Sequence, residues 1–283
     1  MRDINEYGHY SEAWCPGCGN FDILKALKQT LAELDIAPSQ AAIVSGIGQA
    51  AKVPHYITAN GFNGLHGRAL PPAQAIKIVN PELTVIATSG DGCMYGEGGN
   101  HLLAAMRRNV DITVVVHDNQ VYGLTKGQAS PTTAEGQITK TQPHGVTNAP
   151  FNPIEVAISM RANMVARSFS GNIPHVVSML KAAIAHPGFA LIDIFQPCVS
   201  FNKVNTFGWY KKRCYELPEE YDPTDWEAAI HKANEFGDKI PIGVLYKNNR
   251  KPFGGHLPKD LSYPLGFEKV NSITFSKMVE SYM

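Results

Sequence analysis

The sequence lacks several features that would place the protein in a common functional class. No apolar run approaches the roughly 18 residues of a membrane-spanning helix. Basic and acidic residues are equal in number, 25 of each, so the formal net charge is zero. No internal repeat or low-complexity tract is present. We therefore expect neither a membrane nor a nucleic acid as partner, because each usually leaves a mark in hydropathy or charge.

Cysteine is also scarce, with five residues in a chain of 283. Residues 1–6 are polar and do not form the apolar core of a secretory signal peptide. Without such a signal, cysteines serve metal or redox chemistry more often than a disulfide framework. We therefore expect a cytoplasmic protein whose cysteines have a chemical role.

The residues that are abundant suit a large α/β domain. Hydrophobic residues make up 44% of the chain and charged residues 18%, which is enough apolar surface for a sizeable core. Strands are predicted at residues 41–45, 84–88, 112–116, 164–167 and 189–195, and helices at 21–34, 73–78, 100–108, 154–162 and 174–186. This alternation predicts a mostly parallel sheet with helices on both faces.

Two polar motifs follow two of these strands. The strand at 84–88 leads into Gly90-Asp91-Gly92, and the strand at 112–116 is followed by Asn119. With the helix between them they form a βαβ unit, which places Asp91 and Asn119 at the sheet edge where ligands of open α/β sheets bind. Their oxygens, with a backbone carbonyl such as that of Val121, suit a Mg²⁺ ion shared with a diphosphate. An ordinary strand-end turn would explain Gly-Asp-Gly alone, but not both motifs.

Other motifs stand in order around this unit. Cys15-Pro16-Gly17-Cys18-Gly19 and residues 65–71, Leu-His-Gly-Arg-Ala-Leu-Pro, precede it, and residues 123–133 follow it directly. Gly-Asp-Gly with the later asparagine is the thiamine diphosphate signature. Together the motifs resemble the β subunit of a 2-oxoacid:ferredoxin oxidoreductase over nearly the whole chain.

The resemblance implies a reaction and its cofactors. The reaction is the coenzyme A-dependent oxidative decarboxylation of a 2-oxoacid, or its CO₂-fixing reverse, with electrons passing through a [4Fe–4S] cluster to ferredoxin. Asp91, Asn119 and the Val121 carbonyl would hold Mg²⁺. The residues implied to contact thiamine diphosphate are Gly48, His66, Gly90, Asp91, Gly92, Asn119, Val121, Tyr122, Gly123, Leu124 and Thr125.

Two residues are implied to take part in catalysis. His66 would meet the diphosphate or the reacting carbon, and Lys52 would hold a substrate carboxylate as a compact point charge. From sequence alone Lys52 reads better as a solvated surface lysine. Because 2-oxoglutarate offers two carboxylates, we favour it over pyruvate as substrate.

The resemblance also implies partners. The glutamate that activates the cofactor ring would come from an α subunit, in a dimer of αβ heterodimers, and ferredoxin would accept the electrons. A competing hypothesis is a non-redox thiamine diphosphate decarboxylase or carboligase. Such an enzyme would share Asp91 and Asn119 but would need no cysteines.

The cysteines allow several interpretations. Cys15 and Cys18 precede a helix, as in zinc sites, iron–sulfur sites and dithiol pairs. The resemblance favours a cluster and matches Cys198 to its last cysteine. Many relatives carry the remaining cysteine where this chain has Gln49. We therefore predict Cys93 as the fourth ligand. The alternatives are a small buried Cys93 without a role, an unusual ligand at Gln49, a three-cysteine site, or Cys214 folding back.

The predicted organisation has two parts. Residues 1–205 form the α/β domain that binds both cofactors, and residues 206–283 form a C-terminal extension that packs on this domain or on the partner subunit. Residues 1–14 are expected to be an irregular arm, and the tail after residue 247 to be irregular as well. The loop at 123–150 is long for a compact domain, which predicts that it closes over the site.

Overall fold

The fold is organised by one eight-stranded sheet. A computed structural model describes residues 1–253, 276–277 and 279–282. The strands are β1 (Ala41–Ser45), β2 (Asn60–Asn63), β3 (Thr84–Gly90), β4 (Thr113–Asp118), β5 (Met164–Phe169), β6 (Ala190–Phe195), β7 (Cys214–Glu216) and β8 (Ile240–Lys247). Their order across the sheet is β2-β1-β3-β4-β6-β5-β8-β7. Neighbouring strands run parallel except β5 and β8, which are antiparallel.

Among the described residues, seven α-helices connect and cover the strands. They are α1 (Asn20–Glu33), α2 (Leu70–Val79), α3 (Gly99–Arg108), α4 (Pro153–Ser159), α5 (Ile173–Ala185), α6 (Phe207–Arg213) and α7 (Trp226–Asn234). Within the part of the chain that the structure describes, none of the helices has the length and apolar character that crossing a membrane requires.

The core has two layers, one on each face of the sheet. Successive residues of a strand point to opposite faces, so Val114 packs with α2 and α3 while Val115 packs with α1 and α5. β4, β5 and β6 are buried along their whole length, which explains why they appear in the sequence as continuous apolar runs and not as alternating ones. The predicted fold class, a mostly parallel sheet covered by helices on both faces, is confirmed.

Some element boundaries differ from those predicted. α2 begins at Leu70, three residues early, because prolines fit the first turn of a helix, where the backbone N–H groups have no helical partner. α4 ends at Ser159 and not at residue 162, because Arg161 adopts a left-handed backbone with φ 53°. The amino-terminal arm is not irregular throughout, since Ile4–Tyr7 forms a 3-10 helix that buries Tyr7.

The region after residue 205 adds strands to the same sheet. β8 pairs with β5 in the antiparallel direction, and β7 pairs with β8. α7 packs against α4 through the apolar layer that contains Ala229 and Ala233. The division of the chain into two units stays a prediction, and the predicted irregular tail lies largely outside the described residues.

His117 near the end of β4 predicts an acid-sensitive fold. Its imidazole is fully buried between the Thr88 hydroxyl at 2.9 Å and Asn20 Oδ1 at 2.8 Å, and burial lowers its pKa to about 3. The unfolded chain therefore takes up this proton at a higher pH than the folded chain, so stability falls as pH decreases below about 6.5. We expect His117 to account for a loss of about 2 kcal/mol in unfolding free energy between pH 7 and pH 5. Denaturant titrations of His117→Gln should lack this component, and an equal pH dependence in both proteins would contradict the assignment.

Candidate functional site

The site lies where the carboxyl ends of four neighbouring strands meet. β1, β3, β4 and β6 are adjacent and parallel. Gly90 pairs with His117, so Asp91 follows β3 beside the end of β4. Gln196 follows β6 and donates its backbone N–H to Asp118 O at 2.8 Å. The parallel register therefore brings segments that are distant in sequence to one edge of the sheet.

Asp91 is buried, with 2% of its surface exposed, and one threonine hydroxyl contacts both Asp91 and a second acid. Thr132 Oγ1 lies 2.7 Å from Asp91 Oδ2 and 2.8 Å from Asp118 Oδ1. A hydroxyl carries only one hydrogen, so the second contact requires a proton on one of the carboxyls. Burial raises the pKa of Asp118 well above its usual range, and the nearby Asp193 and Asp91 raise it further. We therefore assign this proton to Asp118, which leaves Asp91 as the acid that faces the cleft.

Asn119 and Val121 lie on either side of a backbone reversal. Gln120 adopts a left-handed conformation with φ 58°, which costs a non-glycine residue roughly 1–2 kcal/mol. Asn119 Oδ1 accepts the Val121 N–H at 3.0 Å, and Asn119 Nδ2 donates to Gln196 Oε1 at 3.3 Å. Backbone strain of this kind is concentrated at functional sites. The backbone reversal holds the amide oxygen of Asn119 at the edge of the sheet, beside Asp91.

One cleft brings together every residue predicted to bind thiamine diphosphate. Its lining consists of Ile47, Gly48, Gln49, Ala50, His66, Gly90, Asp91, Gly92, Cys93, Asn119, Val121, Tyr122, Gly123, Leu124 and Thr125. Asp91 is the only acidic side chain among these described lining residues. The cleft therefore presents one carboxylate, two amides and several glycines, a donor set that fits a magnesium–diphosphate group.

His66 is held in the cleft by a residue that the sequence analysis missed. Its Nδ1 lies 2.8 Å from Glu97 Oε2, and the Tyr122 hydroxyl donates to the same oxygen at 3.3 Å. Glu97 ends a wide helical turn, Gly92–Glu97, of the π type that often occurs at functional sites. In the sequence, the only indication that Glu97 holds His66 is its position between two glycines, shortly after Gly-Asp-Gly.

Two glycines of the Gly-Asp-Gly motif are predicted to respond differently to an added methyl group. A Cβ at Gly92 would lie 2.1 Å from Cε1 of Tyr122, whereas a Cβ at Gly90 meets its nearest described neighbour, His117 O, at 3.8 Å. Gly92→Ala should therefore lower the unfolding free energy by about 1–3 kcal/mol, and Gly90→Ala by less than about 1 kcal/mol. Both should weaken thiamine diphosphate binding, because both positions line the cleft. Thermal denaturation and calorimetry of the two variants test this, and equal stabilities would contradict it.

Lys52 lies outside the cleft in which it was predicted to act. Cys93 lies outside the cavity of the cysteines with which it was predicted to bind the cluster. Lys52 Nζ donates to Ala13 O at 3.3 Å, and Lys52 does not line the cleft. Cys93 lies in the cleft with 2% of its surface exposed, and its Sγ accepts the Gly67 N–H at 3.2 Å. The structure therefore does not bring Cys93 into one cavity with the other cysteines predicted to bind the cluster.

A second cavity adjoins the cleft and contains three cysteines. Its lining consists of Trp14, Cys15, Cys18, Asn20, Gln49, Asn119, Gly123, Gln196, Cys198, Val199, Ser200 and Phe201. Each thiol has a hydrogen-bond donor: Gln196 Nε2 is 3.4 Å from Cys18 Sγ, Ser200 Oγ is 3.1 Å from Cys15 Sγ, and the Phe201 N–H is 3.4 Å from Cys198 Sγ. Burial raises the pKa of Cys18 to about 11, with smaller contributions from Cys198 and Cys15. Donors to sulfur are typical of iron–sulfur sites, where they set the reduction potential.

Two buried polar atoms of this cavity have no partner among the described residues. They are Asn20 Nδ2, a donor, and Gln49 Oε1, an acceptor. No group of three or more His, Cys, Asp or Glu side chains within the described ranges is arranged for a single metal ion. A cluster of several irons separates its ligands more widely than one ion does. Three thiols with hydrogen-bond donors in one cavity could hold an iron–sulfur cluster.

A larger cavity lies away from these motifs. It encloses about 1190 Å³ between α6, β7 and α7, compared with about 60 Å³ for the cleft. Its lining includes Cys214 and mixed charges such as Lys212, Glu220 and Lys232. None of the residues predicted to bind a cofactor lines this larger cavity.

The chain is similar to known proteins over most of its length. Residues 41–194 match the thiamine pyrophosphate enzyme C-terminal TPP binding domain, and residues 198–260 match the C-terminal family of the pyruvate ferredoxin oxidoreductase β chain. The β subunit of a 2-oxoacid:ferredoxin oxidoreductase from Sulfolobus is 46% identical over 84% of this chain and 83% of its own. The 2-oxoglutarate oxidoreductase subunit KorB of Mycobacterium tuberculosis is 40% identical over 67% of this chain and 51% of its own.

A solved structure agrees over a greater length. It is a 2-oxoglutarate:ferredoxin oxidoreductase from Magnetococcus marinus with 2-oxoglutarate, coenzyme A and succinyl-CoA bound. One of its chains superposes with a TM-score of 0.91 and 34% identity, covering 99% of this chain and 96% of its own. The fold, including the strands after residue 205, is therefore shared with that protein.

Proposed function

The chain belongs to the β subunits of the 2-oxoacid:ferredoxin oxidoreductases, and from this premise we propose that it joins a thiamine diphosphate site to an iron–sulfur cluster. The proposed reaction is the coenzyme A-dependent oxidative decarboxylation of a 2-oxoacid, or its CO₂-fixing reverse, with ferredoxin as electron carrier. The observation that carries this proposal is that Gln49, Asn119 and Gly123 line both cavities. One wall therefore separates the cofactor cleft from the three cysteines.

The residues of the cleft would bind and orient the cofactor. Asp91, Asn119 Oδ1 and the Val121 carbonyl would hold Mg²⁺, and the glycines admit phosphate oxygens close to the backbone. Thiamine diphosphate supplies the carbanion stabilisation that decarboxylation needs. Glu97 would orient the imidazole of His66, whose Nδ1 lies 2.8 Å from its carboxylate, relative to the bound groups.

The cysteines would hold the electron carrier. Cys15, Cys18 and Cys198 are proposed as thiolate ligands, and a cluster held by them supplies one-electron transfer. Cys15 is exposed, whereas Cys18 and Cys198 are partly buried. The cavity therefore reaches the protein surface on the side of Cys15, where ferredoxin can approach. We propose a cytoplasmic location for the enzyme, as the cysteine usage predicts.

An α subunit would complete the active site. No glutamate is among the described residues that line the cleft, which supports an α subunit as the source of the group that activates the cofactor ring. A β subunit of this family implies such a partner. We propose a dimer of αβ heterodimers, with residues 206–283 as an extension that packs on the domain or on the partner.

Anaerobic purification together with the α subunit tests the proposed function. The complex should contain iron and sulfide, and it should reduce a viologen dye in the presence of a 2-oxoacid and coenzyme A. The alternative, a non-redox decarboxylase or carboligase, would release CO₂ without reducing the dye. An iron-free complex with that behaviour would contradict the proposal.

We propose 2-oxoglutarate as the preferred substrate, with Lys52 pairing with its second carboxylate. A charge-assisted hydrogen bond contributes about 1.5–3 kcal/mol, so Lys52→Ala should lower kcat/KM for 2-oxoglutarate at least about tenfold. The value for pyruvate, which lacks the second carboxylate, should change less. Since Lys52 contacts Ala13 O and does not line the cleft, a closer approach in the assembled enzyme is required. Unchanged constants for both acids would remove Lys52 from the site.

A further inference from the structure

We propose that Gln49 supplies the fourth ligand of the iron–sulfur cluster through its side-chain oxygen, so that three thiolates and one carbonyl oxygen hold four irons. The inference rests on the proposed function in one respect, because it takes the cluster between Cys15, Cys18 and Cys198 as given. It departs from the usual arrangement, in which four cysteines bind the cluster.

The position of Gln49 supports this role. It lines the three-cysteine cavity, and its backbone O accepts a hydrogen bond from Trp14 Nε1 at 2.8 Å. Trp14 directly precedes Cys15, so the Gln49 backbone is tied to the segment that carries two of the thiols. A Cβ added at Gly123 would lie 4.0 Å from Gln49 Cγ, which places the side chain against the wall shared with the cofactor cleft. The side chain is therefore confined between the two sites.

The Gln49 side-chain oxygen needs a partner. Gln49 Oε1 is buried and accepts no hydrogen bond from any described residue. Leaving a buried acceptor unpaired costs about 1–3 kcal/mol. A carbonyl oxygen only accepts, so an N–H, an O–H or a metal ion would satisfy it. Asn20 Nδ2, the unpaired donor of the same cavity, would in turn donate to a sulfur of the cluster.

The other cysteines are poorly placed for the fourth position. Cys93 Sγ is enclosed on two sides, since it accepts the Gly67 N–H and lies 2.4 Å from where a Cβ of Gly46 would be. Cys214 lines the cavity between α6 and β7 and not the one that contains the three thiols. Within the described ranges, Gln49 is thus the side chain that combines the right cavity with an unused ligand atom.

An oxygen ligand has a measurable consequence. A neutral amide oxygen donates less charge to iron than a thiolate does, so the iron at Gln49 should differ from the other three and should be lost more readily. In a cluster with four thiolates each iron has the same kind of protein ligand. The proposal therefore predicts that one of four irons is distinct in spectrum and labile.

The experiment uses the anaerobic complex with its α subunit, labelled with ⁵⁷Fe. Mössbauer spectra of wild type should show one distinct iron in four, and mild ferricyanide oxidation should produce the EPR signal of a three-iron cluster that added Fe²⁺ reverses. Gln49→Glu, which keeps an oxygen ligand, should retain the distinct iron. Gln49→Ala should be isolated mainly with three irons. Gln49→Cys should make the irons alike and resistant to the same oxidation.

Two cysteine variants serve as controls. Cys198→Ser should lose most of the cluster, whereas Cys93→Ser should keep the iron content and the EPR behaviour of wild type. The inference fails if the irons of wild type are alike and Gln49→Ala keeps all of them, or if Cys93→Ser loses one. A wild-type complex without iron would overturn the proposed function as well, so the two failures are distinguishable. Gln49→Cys keeps the test valid if Gln49→Ala folds poorly.

Discussion

Asp91→Ala should bind thiamine diphosphate with Mg²⁺ at least about 100-fold more weakly than wild type, a loss of about 3 kcal/mol. Asp91 is the only carboxylate among the described residues that line the cleft, and it would be the only anionic protein ligand of the metal. Asn119 and the Val121 carbonyl are neutral, so they cannot replace its charge. Isothermal titration calorimetry of the αβ complex measures the difference.

The stability of the variant separates a binding effect from a folding effect. Burial raises the pKa of Asp91 in the folded chain. In the absence of metal, the folded chain therefore binds the proton of the Asp91 carboxyl more tightly than the unfolded chain does. The free energy of unfolding falls as pH rises above about 4. Removing the carboxyl should leave the cofactor-free protein at pH 7 at least as stable as wild type and should flatten this pH dependence.

Asp91→Asn is the matched variant. It keeps the shape of the side chain and an oxygen near Thr132 but removes the charge, so its affinity should lie between those of wild type and Asp91→Ala. Unchanged affinity in Asp91→Ala would place the metal elsewhere. An equal fall in cofactor-free stability for both variants would instead indicate a structural role.

The isolated chain should turn over no 2-oxoacid, and addition of the α subunit should restore activity. The cleft has no glutamate among its described lining residues, so we expect the α subunit to supply the group that activates the cofactor. Large apolar side chains near the cleft are exposed, namely Leu65 at 74%, Phe62 at 47% and Leu124 at 42%. Exposed apolar residues next to a site often mark an interface. The measurement is dye reduction by the chain alone, by the α subunit alone and by the mixture.

A variant of this surface provides the control. Leu65→Lys should weaken assembly with the α subunit and lower the activity of the mixture at low protein concentration, because it places a charge in a contact that we expect to be apolar. Raising the concentration of the α subunit should recover the activity. Robust turnover by the pure single chain would contradict the proposed sharing of the active site.

The sequence alone determined the fold class and placed Asp91 and Asn119 at one edge of the sheet. The five predicted strands are buried apolar runs of the length that parallel sheets require, so local composition was sufficient to find them. Asp91 and Asn119 follow two of these strands, and the βαβ rule places the ends of neighbouring parallel strands together. The remaining cleft residues were identified through family motifs, and all of them line the same cleft.

The tertiary structure alone decided contacts between distant segments. Thr132 reaches Asp91 across 41 residues, and Gln196 reaches Cys18 across 178. The separation of Cys93 from the three-cysteine cavity depends on how Gly46 and Gly67 enclose its sulfur. Hydrophobic periodicity records which face of an element is buried, whereas these contacts depend on strand order and loop paths. For that reason the preference for Gln49 over Cys93 at the proposed fourth cluster position, which the sequence left open, comes from the fold.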